Sequence, residues 1–345
     1  MGLGESLIKY SVSLLLAFLA AMIIISLSGS DPLSGVASII TIPFSNPDIL
    51  SLLIQKFSTI LLMSLAFSIS LKAYRFNVGI EGQFLLGAIG AAVTGILVNA
   101  PPILMPTLVL IAGLSLGALW ASIPAYLLYK FGVNEIVSTL LMNFISFYLV
   151  DLIATGGLRD TAAGHPMTIP IRIEAALPTI VTSPRMSIMP VIAVIMVLGI
   201  GLFLYRTVAG YELRASGSNK KASYIYGINV KFRETFSIIL GGALAGLAGA
   251  MEVSGLHMRL ISGMQSNYIL VAILAALLAR GEPVWLVIAS MGISVVEVGS
   301  AALQRTSGVP SELGLVIEGV LLLVILTFEI PKFLRRSFVK EVSLR

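Results

Sequence analysis

Three polar side chains, Asn77, Glu81 and Gln83, crowd into one short stretch, spaced by Gly79 and Gly82. An apolar run over 48–71 ends just before it at the cations Lys72 and Arg75, and a second apolar run begins at Phe84. The chemistry such groups offer is hydrogen bonding, the amides as donors and acceptors and the carboxylate as an acceptor. Polar, glycine-rich backbone at bilayer depth is tolerated only against protein or a water-filled cavity. A carboxylate there is costly enough to suggest a function. An ordinary cytoplasmic turn between two spans accounts for the same residues equally well.

Little else in the chain points to catalysis. There is no Gly-x-x-x-x-Gly-Lys-Ser/Thr phosphate loop and no His-Glu-x-x-His. Cysteine is absent, which excludes a thiolate nucleophile, a disulfide or a cysteine-held metal. The two histidines, His165 and His257, fall in loops, where an isolated imidazole is ordinarily solvated. Asn143, Glu297 and Glu318 lie inside apolar runs, with Glu135 and Asp151 near run ends. No acidic ladder and no paired opposite charges stand out at bilayer depth, as a proton or sodium relay would need. Phe84, Phe144, Phe147 and Tyr148 could stack on a flat ligand, but such aromatics are more often core or lipid-facing.

A second polar stretch, 207–233, lies between apolar runs. Ser218 or Asn219 can cap a short helix, and Gly227 can end it in a left-handed conformation. Lys220 to Tyr226 would make about two amphipathic turns. Such a helix is a knob for another protein to grip, or a surface helix snorkelling on headgroups.

The elements that position these residues follow from composition. Of 345 residues, 57% are hydrophobic and 11% charged, against about 25% charged in soluble domains. Mean hydropathy is +1.00. The chain is an all-α polytopic membrane protein, since barrel strands would be short and alternating. About ten segments are apolar enough for spans, namely 7–27, 49–71, 83–98, 103–129, 135–153, 187–205, 234–253, 267–279, 284–303 and 311–330. The first is a retained span rather than a cleaved signal, because its apolar run is long. The net charge of +5 says little about nucleic acid here. Its placement matters more. Lys72, Arg75, Lys130, Arg206, Lys220, Lys221, Arg280 and the tail from Lys332 share one side, and only Arg159, Arg172, Arg185, Arg259 and Arg305 the other. Both termini are therefore expected in the cytoplasm.

The whole of 1–345 reads as one membrane domain, embedded over about 7–330. The external loop 155–187 carries Pro166, Pro170, Pro178 and Pro184, whose stiff backbone suits an ordered cap. The tail 331–345 is basic and suits anionic headgroups. Gly113 with Gly117, and Gly242 with Gly246, have the spacing that lets helix backbones approach, within one subunit or across a dimer seam.

Several of these stretches resemble one family. Phe76-Asn77-Val78-Gly79-Ile80-Glu81-Gly82-Gln83 resembles the Phe-Asn-Ile-Gly-x-Glu-Gly-Gln signature of nucleoside-type ABC importer permeases, a branch of the branched-chain amino acid and simple-sugar permeases. Asn134-Glu135-Ile136-Val137-Ser138-Thr139 with Leu141-Met142-Asn143 is similar to a second family segment. Leu213-Arg214-Ala215, Gly217, Asn219, Ala222 and Gly227-Ile228 fit the cytoplasmic loop, and Glu297, Gly299, Ala302-Leu303-Gln304 and Gly308-Val309-Pro310-Ser311 fit the last two spans. The resemblance covers roughly 50–330. The loop departs from the family at Lys220, Ser223, Ile225 and Tyr226, as do the segments after His257 and at Ala279-Arg280-Gly281-Glu282-Pro283.

The resemblance implies an ABC importer permease fold in the cytoplasmic membrane. It implies a transport subunit, not an enzyme, with no cofactor of its own and ATP and magnesium held by partners. Those partners are two ATP-binding subunits, a second permease (the same chain or a paralogue) and an external substrate-binding lipoprotein. Glu212, Leu213, Arg214, Ala215, Gly217, Asn219, Ala222 and Gly227 would form the coupling surface. Asn77, Glu81, Gln83 and Asn143 would lie near the path of a nucleoside or related solute, where they could bond ribose hydroxyls or a base edge. The alternatives are a sugar or branched-chain amino acid permease of the same type, an ion-coupled carrier acting alone, and an intramembrane enzyme, which lacks a nucleophile and base.

Overall fold

The structure, a computed structural model, describes residues 19–29, 31–264, 268–307, 315–317 and 319–320. Helices are α1 (Leu19–Leu27), α2 (Pro32–Ser45), α3 (Pro47–Lys72), α4 (Ile80–Leu97), α5 (Met105–Phe131), α6 (Glu135–Thr155), α7 (Met189–Arg206), α8 (Val208–Ser218), α9 (Lys220–Ile225), α10 (Val230–Met251), α11 (Tyr268–Leu278) and α12 (Pro283–Ser307). A π-helical turn, Glu252–His257, continues α10. Seven of these helices are long and apolar enough to cross a membrane, or eight if α1 and α2, bent by 113°, count as one. The ten expected segments reduce to this number partly because 7–27 and 311–330 lie largely outside the described residues. The segment 267–279 forms only the 11-residue α11. Helix α2 was not expected. The Asp31-Pro32 pair starts it, with Asp31 Oδ2 accepting from Ser34 N at 2.9 Å.

The chain forms two compact units, one of residues 1–53 with 292–345 and one of 54–291. In the first, α12 meets α2 backbone to backbone, so that a Cβ on Gly299 would come within 2.0 Å of the Ile39 carbonyl oxygen.

In the second unit, α10 packs against α4 and α5. The reason is glycine. Gly87 of α4 faces Gly246 of α10, and Gly113 and Gly117 of α5 face Gly242 and Gly246. A Cβ at Gly87 or Gly117 would come within 2.1 or 2.3 Å of a carbonyl oxygen of α10. The paired glycines therefore pack inside one subunit. Without a hydrophobic drive between helices in lipid, this close approach is what holds them.

The loop 155–187 is an ordered cap. It contains a short 3-10 turn (Ile173–Ala175) and an antiparallel pair, β1 (Thr179–Thr182) with β2 (Arg185–Ser187). Its backbone is bonded to the rest of the unit. Leu177 N donates to Ser254 O at 2.9 Å, Ile171 N to Met258 O at 2.8 Å, Thr168 N to Leu260 O at 2.9 Å and Arg172 N to Gly95 O at 3.1 Å.

Candidate functional site

The stretch 76–83 is both turn and helix. Residues 77–79 form the turn, and Ile80 opens α4, which places Glu81 and Gln83 in its first turn. The Asn77 amide donates to Gln83 Oε1 at 2.9 Å, and the Gln83 amide returns a bond to Asn77 Oδ1 at 3.1 Å. Gly79 N also donates to Asn77 Oδ1, at 3.2 Å. Asn143, from α6, accepts from Gly82 N and donates to Val78 O, both at 2.9 Å. The glycines make this docking possible, since a Cβ on Gly82 would lie 2.8 Å from both Asn143 Oδ1 and Ser146 Oγ. Three of the four expected path residues thus hold one another and the backbone. The fourth differs. Glu81 is 7% exposed and has no hydrogen bond or ion pair among the described residues. Of the aromatics, Phe84 is fully buried against Tyr268, with ring centroids 5.2 Å apart, and Tyr148 is exposed.

The residues of the polar stretch 207–233 come together on two consecutive helices. Thr207 caps α8, its Oγ1 accepting from Gly210 N at 3.0 Å. Asn219, one of the two expected caps, starts α9 by accepting from Ala222 N at 3.1 Å. Gly227 follows α9 at φ +81°. Leu213 is buried, and Glu212 is bonded by Arg233 Nε at 2.6 Å. Arg214 Nε donates to Leu204 O at 3.0 Å, and its guanidinium lies 4.5 Å from the Tyr205 ring centre. Ala215 lies in α8 and Ala222 in α9. Gly217 presses α8 onto the end of α3, where a Cβ would come 2.0 Å from Lys72 O. Tyr224, Ile225 and Tyr226 project with 77 to 85% of their surface exposed.

Beside α9, four charges meet. Arg75 Nη1 lies 3.0 Å from Glu135 Oε2 and Arg75 Nη2 lies 2.5 Å from Glu234 Oε2. Lys220 Nζ pairs with Glu234 Oε1 at 2.6 Å. Burial works against the Arg75 charge, but the carboxylates of Glu234 and Glu135 outweigh it and hold its pKa above the ordinary value.

Residues 49–326 match a family described as branched-chain amino acid transport system / permease component. The chain belongs to that family. The permease is 31% identical over 283 residues to a glucose ABC transporter permease protein of Haloferax volcanii, covering 79% of this chain and 74% of that protein. It is 27% identical to a guanosine ABC transporter permease protein of Bacillus subtilis, over 96% of both chains. It is 25% identical to a nucleoside ABC transporter permease protein of Lactococcus lactis, over 96% of this chain and 92% of that one. No solved structure matches it significantly. The permease is a multi-pass subunit of the cell membrane whose work is transport and not catalysis.

One polar cluster of the permease escaped the sequence reading. Lys56 of α3 and Glu252, at the π-turn of α10, pair at 3.3 Å, with side-chain exposures of 17% and 0%. Glu252 also accepts from Thr59 Oγ1 at 2.6 Å and from the Tyr268 hydroxyl at 2.8 Å, and Lys56 bonds the same hydroxyl. His257 is not a free loop imidazole either. Its Nε2 lies 3.2 Å from Glu252 Oε1. The expectation that no opposite charges pair within the spans is overturned, because the two partners sit 196 residues apart in the chain. Lys56 is a lone charge inside one apolar run and Glu252 a lone charge at the end of another, and that pair of misfits was the available signal.

Proposed function

We propose that this permease is the membrane half of an ATP-driven importer for nucleosides. The single observation that carries the solute assignment is Glu81, a buried carboxylate with no partner among the described residues, beside a turn whose other polar groups are satisfied. A hydroxyl-rich solute passing that turn supplies the missing donors. The guanosine and nucleoside relatives match nearly the full length of the chain, whereas the glucose relative matches less of it. A sugar offers the same hydroxyls without the base, so sugars are the nearest competing cargo.

The exposed Tyr224 and Ile225 on α9, with Tyr226 at its C-cap, support the driving arrangement. An aromatic knob beside the cation Lys221 fits an apolar, acid-rimmed groove on an ATP-binding subunit. In this reading two such subunits lie beneath two permeases, both termini are cytoplasmic, and an external lipoprotein delivers the solute. ATP and magnesium stay on the partners, and α8 and α9 take up the push. Coupling requires the two states to differ in their contacts with the partner and with the solute.

The test is uptake by the reconstituted complex with ion gradients clamped. Uptake of labelled nucleoside that follows ATP supports the reading. A second reading, an ion-coupled carrier, draws on the buried Lys56 and Glu252 pair, since intramembrane charge pairs mark such carriers. Uphill uptake by the purified chain alone on a proton or sodium gradient would establish that reading and remove the first.

A further inference from the structure

The four charges beside α9 occupy a particular position. Arg75 is the residue before Phe76, so it sits at the mouth of the turn that carries Asn77 and Gly79. Glu135 is the first residue of α6, and eight residues further along that helix Asn143 grips the other side of the same turn at Val78 and Gly82. Glu234 lies in the first turns of α10 and joins Arg75 to Lys220, the first residue of α9. The helix that offers Tyr224 outward, with Tyr226 at its C-cap, is thus tied through three ion pairs to the polar turn from both of its sides.

Three of the four tied groups are shielded, and the fourth, Lys220, is 38% exposed. Side-chain exposure is 5% at Glu234, 12% at Glu135 and 18% at Arg75. Such pairs are screened far less by salt than surface pairs, and removing one partner strands the other. The group also lines a cavity of about 470 Å³ between α9 and the Gly132–Asn134 turn. That space gives the Lys220 side chain room to move.

We infer that Lys220, Glu234 and Arg75 are positioning residues that carry a displacement of α9 to the turn at Asn77–Gln83. The inference rests on the importer reading, in which a partner pushes α8 and α9. A push on α9 moves the Lys220 ammonium, Glu234 follows it, and Arg75 pulls on the backbone that enters the turn. Glu135 makes α6 move with Arg75, so that Asn143 keeps its two bonds while the turn shifts.

The test uses the complete reconstituted complex and reads two rates together, solute transported and ATP hydrolysed. Lys220→Met is the main variant, because Lys220 is partly exposed and its loss does not open the core. Solute moved per ATP should fall about tenfold, within the usual span of coupling between two sites. Co-purification with the ATP-binding subunit should persist, and Lys220→Arg should restore the ratio. Glu234→Gln should lower the same ratio. An unchanged ratio in Lys220→Met, or equal losses of both rates that Lys220→Arg does not repair, would overturn the inference and leave the importer reading standing. A wild-type complex that hydrolyses ATP without any uptake would refute the importer reading itself.

Discussion

Replacing Gly87 by alanine tests whether the glycine contact between α4 and α10 holds the larger unit together. The added Cβ would sit 2.1 Å from the Gly246 carbonyl oxygen and 2.3 Å from its Cα. Non-bonded carbons settle at about 3.5 to 4.0 Å, so the helices must part by roughly 1.5 Å at their crossing. Both opposing atoms belong to backbone, and no side chain can swing aside. The cost therefore lies near the top of the overpacking range, about 3 kcal/mol. Alanine returns up to about 1 kcal/mol through its better helix propensity. The expected net loss is about 2 kcal/mol. Gly199→Ala in α7 is the control, since a Cβ there meets nothing within 4 Å. It should be neutral or gain up to about 1 kcal/mol. Equilibrium unfolding in mixed micelles should separate the two variants by about 2 to 3 kcal/mol. Equal stability of Gly87→Ala and Gly199→Ala would refute the argument that backbone proximity organises this unit.

Other perturbations follow from named contacts. Lys56→Met should cost about 3 to 5 kcal/mol by leaving Glu252 buried without its ammonium, and adding Glu252→Gln should recover most of it, read by a double-mutant cycle of thermal unfolding. Glu81→Gln should weaken a hydrogen bond to the solute by about 1.5 kcal/mol, raising the KM of uptake roughly tenfold while complex assembly stays constant. Tyr226→Ala should cost about 2 kcal/mol in affinity for the ATP-binding subunit, measured by titration of the two purified proteins, with no loss of thermal stability. Glu282 gives a pH test. Burial pushes its carboxyl up, but Lys72 and the Tyr205 hydroxyl outweigh that and hold it below its ordinary value of 4.5. A depressed carboxylate contributes stability that is complete above pH 4.5 and is lost as pH falls through the lower folded value. Glu282→Gln should therefore flatten the acid limb of stability measured below pH 4.5 and leave neutral behaviour unchanged.

The parts legible in the sequence are those governed by local rules. Asn219 and Gly227 bracket α9 because a cap and a left-handed stop act within one or two turns. Gly242 and Gly246 declare a close contact by spacing alone, and the structure supplies only the partner helices. Helix α8 was missed because its glycines and serines read as loop, although Thr207 was available as a cap. The roles of Asn77 and Asn143 were half legible. Their polarity inside apolar surroundings was plain, but the exchange of Asn77 with Gln83 depends on the path of the turn, and the grip of Asn143 on Val78 and Gly82 depends on α6 docking against α4. The Lys56 and Glu252 pair was illegible for a related reason. Each charge was visible, but their meeting is a property of how α3, α10 and α11 fold back on one another.

The cap over 155–187 has a thermodynamic corollary. Stitched by its main chain to residues 254, 258 and 260 and to Gly95, it presents a contour fixed before any visitor arrives. A protein landing there forfeits little conformational freedom in the receiving surface, so more of the contact energy survives as affinity. The same stitching means that displacing the cap demands either rupture of those amide links or travel of cap and helix ends as one piece.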